Sequence, residues 1–350
     1  MTPPVPNPDP LGLPVPVPLL FTLKVFGFFV HLIFMNLWAA GVPTALALWK
    51  FRPKVSKRLF RMMPFFMAFG INAGIVPLLF LQTLYPQFFY PATILQAWFW
   101  FMVIPLLLIA YYSVYLVSFE RAPILAGGVA MVLLTWIGLT FSAAMSLTTA
   151  PEQWSEIFTA TAHAGAIHGG YLHLGLKTLL RYGLVFGMAL GTVAAVLALD
   201  TQWFTNDPEY PTQTRPLVLM LYALCLAVYG ISGMIYVPMV LDKVPPVWSS
   251  LAGVTKTVTA THAVVYWKWP GKGAGSALMV AQLMVLLSNA IARQMEQSHT
   301  LHQWFDLQKV PIRWEWGSFL LFVVTFIIGI IVLTWIGLTV FRRTHLPESS

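Results

Sequence analysis

Eight histidines carry most of the reactive potential of this 350-residue chain. His31 lies about 12 residues into an apolar run, roughly 18 Å along a helix. Its neighbours Phe26, Phe28, Phe29, Leu32 and Phe34 are apolar. A polar side chain at that depth in a membrane segment needs a reason to be there. Ligation of haem iron by the imidazole is one such reason. A neutral ring bonded to a neighbouring backbone carbonyl is the other.

The stretch from His163 to His173 reads His-Ala-Gly-Ala-Ile-His-Gly-Gly-Tyr-Leu-His. On a helix, five residues turn the chain by about 140° net. His163, His168 and His173 therefore cannot share one face, and at most one or two can serve one iron. His173 opens the fifth apolar run and is the preferred ligand of the three. His168 follows it, and His163 reads as a loop residue. Lys177 and Arg181 are spaced i, i+4 and point the same way. They suit carboxylates such as porphyrin propionates, or they snorkel to the interface. His262 sits in a polar segment and is open between ligand and surface roles. His299 and His302 lack a third partner and read as surface residues. Met234 and Met239, like Met279 and Met284, are five apart, so only one of each pair can face a given cofactor.

The elements that must position these residues follow from composition. Hydrophobic residues make up 58% of the chain and charged residues 9%, against about 25% charged in soluble domains. The missing apolar phase is lipid. The fold class is all-α, a polytopic transmembrane helix bundle with about eight spans. The spans fall at 19–49, 64–88, 93–117, 123–147, 172–199, 216–240, 275–293 and 317–341. A Pro-rich arm, 1–18, precedes a first four-helix unit, 19–149. A second unit covers 150–341, with a loop or interfacial segment at 241–274, and a tail follows at 342–350. The arm has no basic start and is expected to lie extended on a partner or on the protein's own surface.

The net charge of +8 is concentrated in Lys50, Arg52, Lys54, Lys57, Arg58 and Arg61. That loop should be cytoplasmic, with the N-terminus extracytoplasmic, in a multi-pass protein of the inner (cytoplasmic) membrane. Nucleic acid is not an expected partner, because such binders spread their charge along a groove. Eight spans place Arg342 and Arg343 on the outer side, against the rule. Residues 248–269, with Lys256, His262 and several Thr, read as an ordered loop or interfacial helix. Cys225 is the single cysteine, which excludes internal disulfides, covalent c-type haem and iron–sulfur clusters. Gly183, Gly187 and Gly191, like Gly70 and Gly74, mark close helix approach or flat space for a planar ligand.

The run from Leu20-Phe21 through His31 to Leu37, the basic loop, and Phe69-Gly70-Ile71-Asn72 together resemble the start of the cytochrome bd oxidase subunit I family. The resemblance implies that His31 matches that family's haem-ligating His, and Asn72 its second-span Asn. It also implies that the helix opening at His173 matches the segment bearing the ligand of a second b haem, with His168 as the alternative. The family carries an acid after the Asn, where this chain reads Leu81-Gln82-Thr83-Leu84-Tyr85. The family's long quinol loop and Gly-Arg-Gln-Pro-Trp element are absent as well. The resemblance thus implies one or two b haems and no oxygen reduction. The expected function is a haem b subunit that passes electrons between quinol and an extracytoplasmic haem protein, such as a c-type cytochrome or another redox subunit. The rivals are a cofactor-free membrane anchor and a small-solute transporter; against the transporter stand the lack of an inverted repeat and the few intramembrane carboxylates.

Overall fold

A computed structural model describes residues 5–8, 10–168, 170–205, 207–269, 271 and 273–345. The side chains of Lys256, His262, Arg342 and Arg343 lie outside the described residues. The chain is an all-α bundle of α1 (Val17–Leu48), α2 (Pro53–Leu84), α3 (Pro86–Gln96), α4 (Trp98–Phe101), α5 (Val103–Ser118), α6 (Pro123–Thr148), α7 (Trp154–Thr161), α8 (Leu176–Trp203), α9 (Tyr210–Val240), α10 (Pro246–Lys268), α11 (Ala274–His302) and α12 (Trp316–His345). Eight segments are long and apolar enough to cross a bilayer. The protein is therefore a multi-pass membrane protein.

Prolines punctuate the chain where one would expect them. Pro53, Pro86, Pro123 and Pro246 each sit in the first turn of a helix, where the missing N–H costs nothing. This corrects the basic loop. With α2 starting at Pro53, only residues 49–52 form the connection, and Lys54, Lys57, Arg58 and Arg61 lie on the first turns of a helix. There they are paired with acids from two other connections and from the end of α8. Lys54 meets Asp207 and Glu209 at 3.1 and 3.0 Å. Arg58 grips both oxygens of Asp200 at 2.6 Å. Lys57 and Arg61 share Glu120, at 2.5 and 3.2 Å, and hold its carboxyl below the usual carboxylate range. This end of the bundle is the basic face. The opposite end carries the start of α1 and is the N-terminal face.

The arm lies on the protein's own surface. Leu13 and Val15 are buried. Leu13 N–H donates to Pro311 O at 2.9 Å, and Arg313 N–H returns a bond to Leu13 O at 2.8 Å.

The segment 248–269 is not a loop, since residues 248–268 are helical. It belongs to α10, whose 23 residues span about 34 Å. At its start the Trp248 indole donates to Ala292 O, towards the N-terminal-face end of α11, at 3.1 Å. At its end Trp267 O accepts from Arg215, near the basic-face end of α9, at 3.1 Å. The threonines that make the sequence look too polar are the physical reason for the misreading. Thr255, Thr257 and Thr259 each donate to the carbonyl four residues back, so none of them needs water. Helix α10 is not among the eight segments apolar enough to cross a bilayer, but it runs the length of the bundle. Counted as a ninth pass, it would bring the end of α12 to the basic face and remove the charge conflict. The arrangement predicts a labelling pattern. With Cys225→Ser as background, a cysteine at exposed Val247 and one at exposed Gly271 should react with an impermeant thiol reagent from opposite sides of sealed vesicles. Reaction of both from one side would refute the traverse.

The glycine ladder serves close packing and leaves no flat space. A Cβ on Gly187 would stand 2.7 Å from Tyr229 N, and one on Gly183 would collide with Ser232 Oγ. Helix α8 thus meets the backbone of α9 at Gly187 and its side chains on either side. Deeper in the bundle, Asn36 and Gln282 both donate to Thr192 Oγ1, at 3.1 and 3.0 Å. This polar clamp ties α1, α8 and α11 together.

Candidate functional site

Two polar sites stand inside the bundle and one on its N-terminal face. The first is His31. Its Nδ1 lies 2.8 Å from Gly70 O on α2. A carbonyl oxygen only accepts, so Nδ1 carries the proton. In the neutral ring, Nε2 then holds the lone pair. Gly74 makes room for this arrangement, since a Cβ there would sit 2.8 Å from His31 Cε1 and Nδ1. Phe28 lies beside the ring at a centroid distance of 6.4 Å. A ring nitrogen tied to a backbone carbonyl, with the other left available, is the usual arrangement of a metal-ligating imidazole. Asn72, the other residue of the resemblance, is two positions from Gly70 and from Gly74, so it points to the far side of α2. It is exposed, and its amide bonds back to Ala68 O at 2.8 Å.

The second region corrects the helical reading of 163–173. Residues 162–163 and 166–167 form a β-hairpin, β1 and β2, turned by Ala164 and Gly165 at φ 51° and 80°. Positive φ at both central positions gives a type I′-like turn that suits a tight hairpin. The helical rotation argument therefore does not apply. The hairpin brings His163 and His168 together, with ring centroids 6.0 Å apart. His168 is exposed, and its Nε2 stands 3.2 Å from His163 O. His173 does not open the fifth span. Helix α8 starts at Leu176 after the extended Gly175, and His173 lies in the preceding loop. That loop is pinned by Tyr171 N–H to Leu95 O at 3.0 Å, and His173 Nδ1 is 3.4 Å from the Tyr171 hydroxyl. The structure does not bring His31 and His173 together. The first packs on Gly70 and Gly74 within the α1–α2 seam, and the second lies beyond the end of α8.

Burial, and then the nearby Lys177 charge, push the His173 pKa below its ordinary value. The sign follows directly. A depressed folded pKa means that His173 contributes fully above the unfolded value of about 6.5, and its contribution is lost as pH falls below that. Wild-type protein should thus lose more thermal stability between pH 7.5 and 5 than His173→Gln protein does. Equal losses would show that His173 is not held neutral.

A groove of about 1050 Å³ opens on the N-terminal face beside the hairpin. Trp98, Phe101, Trp154, Phe158 and Ile167 line it, with His168 at the rim and Pro6 of the arm alongside. Its volume stands just above the usual range of small-molecule sites, about 300–1,000 Å³.

The third site surrounds Arg181. Lys177 Nζ is 3.8 Å from Glu296 Oε1, and the Tyr236 hydroxyl donates to the same oxygen at 2.5 Å. Arg181 is 6% exposed, and its Nε and Nη1 have no hydrogen-bond partner. Sequence reasoning found Lys177 and Arg181 but did not place Tyr236, Glu296 and Arg293 with them. The signal was available: Arg293 and Glu296 are three apart on one helix. Nearby, the Lys24 ammonium donates to Gln297 Oε1. Among the described residues, no three His, Cys, Asp or Glu side chains stand close enough to hold a metal ion. His299 and His302 are exposed at the end of α11.

No protein-family model matches the chain, and no curated protein matches it either.

Proposed function

We propose that this chain is the haem b subunit of a membrane electron-transfer complex, passing electrons between quinol and a haem protein such as a c-type cytochrome. The observation that carries this reading is His31, a mid-span imidazole with Nδ1 fixed by Gly70 O at 2.8 Å and Nε2 left as a ligand. The donor set fits a haem better than a caged metal ion, because a haem asks the protein for only one or two axial side chains. Bound haem supplies one-electron chemistry. The residues of the chain supply an oriented axial nitrogen, an apolar surround and, at Lys177 and Arg181, positive charge suited to propionates. His173 and His168, on the N-terminal face, are the candidates for a second haem. The aromatic groove at that face, with His168 at its rim, suits a quinol ring. The basic face, joined by the end of α12, is assigned to the cytoplasm by the positive-inside rule, which puts the N-terminus outside an inner membrane.

A cofactor-free anchor is the second reading. It is favoured by the same bond, since Gly70 O already gives the ring a partner. A reduced-minus-oxidised spectrum of purified protein decides between them. The expected result is a b-type alpha band with haem recovered by pyridine extraction. A colourless preparation overturns the haem reading and leaves the anchor.

A further inference from the structure

A small cavity of about 40 Å³ lies between α8, α9, α10 and α11, towards the N-terminal face. It can hold roughly two or three waters, or one small ion. Its polar lining is Tyr229, Tyr236, Thr255, Asn289, Arg293 and Glu296. Leu184 lines it from α8, and Arg181 sits one turn before Leu184 on the same helix. Arg181, Arg293, Tyr236 and Glu296 all lie within electrostatic reach of one another.

The charges around this cavity do not balance. Arg181 and Arg293 are two cations. Among the described residues, Glu296 is the one carboxylate that acts on either arginine. Neither guanidinium can shed its proton in a protein. Glu296 is 3% exposed and Arg181 6%, so water does not screen the excess. A buried charge stays charged only with a counter-charge and hydrogen bonds around it. The Nε and Nη1 donors of Arg181 are unused, and so is Asn289 Oδ1 at the cavity. The Tyr229 hydroxyl and the Asn289 amide add neutral dipoles at the cavity wall.

We propose that Arg181 and Arg293 bind one monovalent anion, of the size of a halide or a carboxylate group, in this cavity. The guest has two sources with the same chemistry. One is a free ion such as chloride. The other is the carboxylate arm of a larger ligand, a haem propionate included. The site rests on the charge count and the orphaned donors, and it stands whether or not the chain carries haem.

The test is equilibrium dialysis of labelled chloride against detergent-solubilised full-length protein at fixed ionic strength. A bulky sulfonate such as Hepes, which is too large for the cavity and carries no carboxylate, balances the salt. Wild-type and His31→Ala proteins are measured side by side. One saturable chloride per chain in both supports a free ion. Saturation in His31→Ala protein alone, with coloured wild type, supports a carboxylate of bound haem in the same place. Arg181→Gln and Arg293→Gln should each weaken chloride binding at least tenfold. Because either variant could fail to fold, the stoichiometry in His31→Ala protein stands as a separate criterion. Absence of saturable chloride in His31→Ala protein, or affinity unchanged in both arginine variants, overturns the proposal. If wild type is colourless and still binds chloride, the haem reading fails and the anion site survives.

Discussion

His31→Ala protein should leave the membrane folded and colourless. The substitution removes one hydrogen bond, to a carbonyl that also serves the α2 helix ladder, at a cost of about 0.5–1.5 kcal/mol. The lost ring adds a packing penalty of about the same order. Neither is enough to unfold a bundle whose buried side chains run through every long helix from α1 to α11. Loss of the axial nitrogen is all-or-none by contrast, and b-type haem has no covalent tether. Haem content per chain should thus fall at least tenfold while thermal stability falls by a few degrees. Gly74→Ala gives a graded control, since its new Cβ meets the imidazole at 2.8 Å. The ring must shift, and the alpha band should weaken or move without vanishing. Haem content unchanged in His31→Ala protein removes His31 from the assignment.

Glu296→Ala should be the most destabilising single change in the α8–α11 half. Removing one partner of a buried charge pair costs about 3–5 kcal/mol, because the other charge is left uncompensated. Here Lys177, Arg181 and Arg293 lose their shared carboxylate, and the Tyr236 hydroxyl loses its acceptor at 2.5 Å. Glu296→Gln keeps an oxygen for Tyr236 and should cost less. Adding Arg293→Gln to Glu296→Gln removes one stranded charge and should recover part of the loss. The measurement is equilibrium unfolding in mild detergent with a helix signal. A loss below 1 kcal/mol in Glu296→Ala would show that the cluster is neutralised by something other than Glu296.

Much of this architecture was legible in the residues. Long apolar runs force helices in lipid, and the eight runs became eight apolar helices. Boundaries moved where proline and glycine acted locally. Pro53 started α2 early enough to carry the basic residues onto a helix, and Gly175 delayed α8 past His173. Residues 246–268 were misread because hydropathy counts a threonine hydroxyl as if it must find water, whereas the α10 backbone satisfies it. The histidine run at 163–173 was misread because a positive-φ pair, Ala164 and Gly165, turns a hairpin where spacing alone suggested helix. Within the sites, His31 could be picked out because an isolated polar residue in an apolar run is visible in one dimension. The cluster around Arg181 could be picked out only in part. Its members come from α8, α9 and α11, and nothing in a linear sequence says that position 181 faces positions 236 and 296.

The backbone bonds between residues 13–14 and 311–315 have a consequence in time. Leu13 and Pro14 wait on Pro311, Arg313 and Glu315, about 300 positions later in the chain. Contacts of such separation form late. During synthesis the arm emerges long before residues 311–315 and has no strand to pair with until α11 is in place. The bond closes only as α12 arrives, whose Phe322 packs on Phe80 of α2 at 5.3 Å. The arm therefore works as a completion clasp. A chain truncated before residue 311 lacks the partner segment and cannot fasten it.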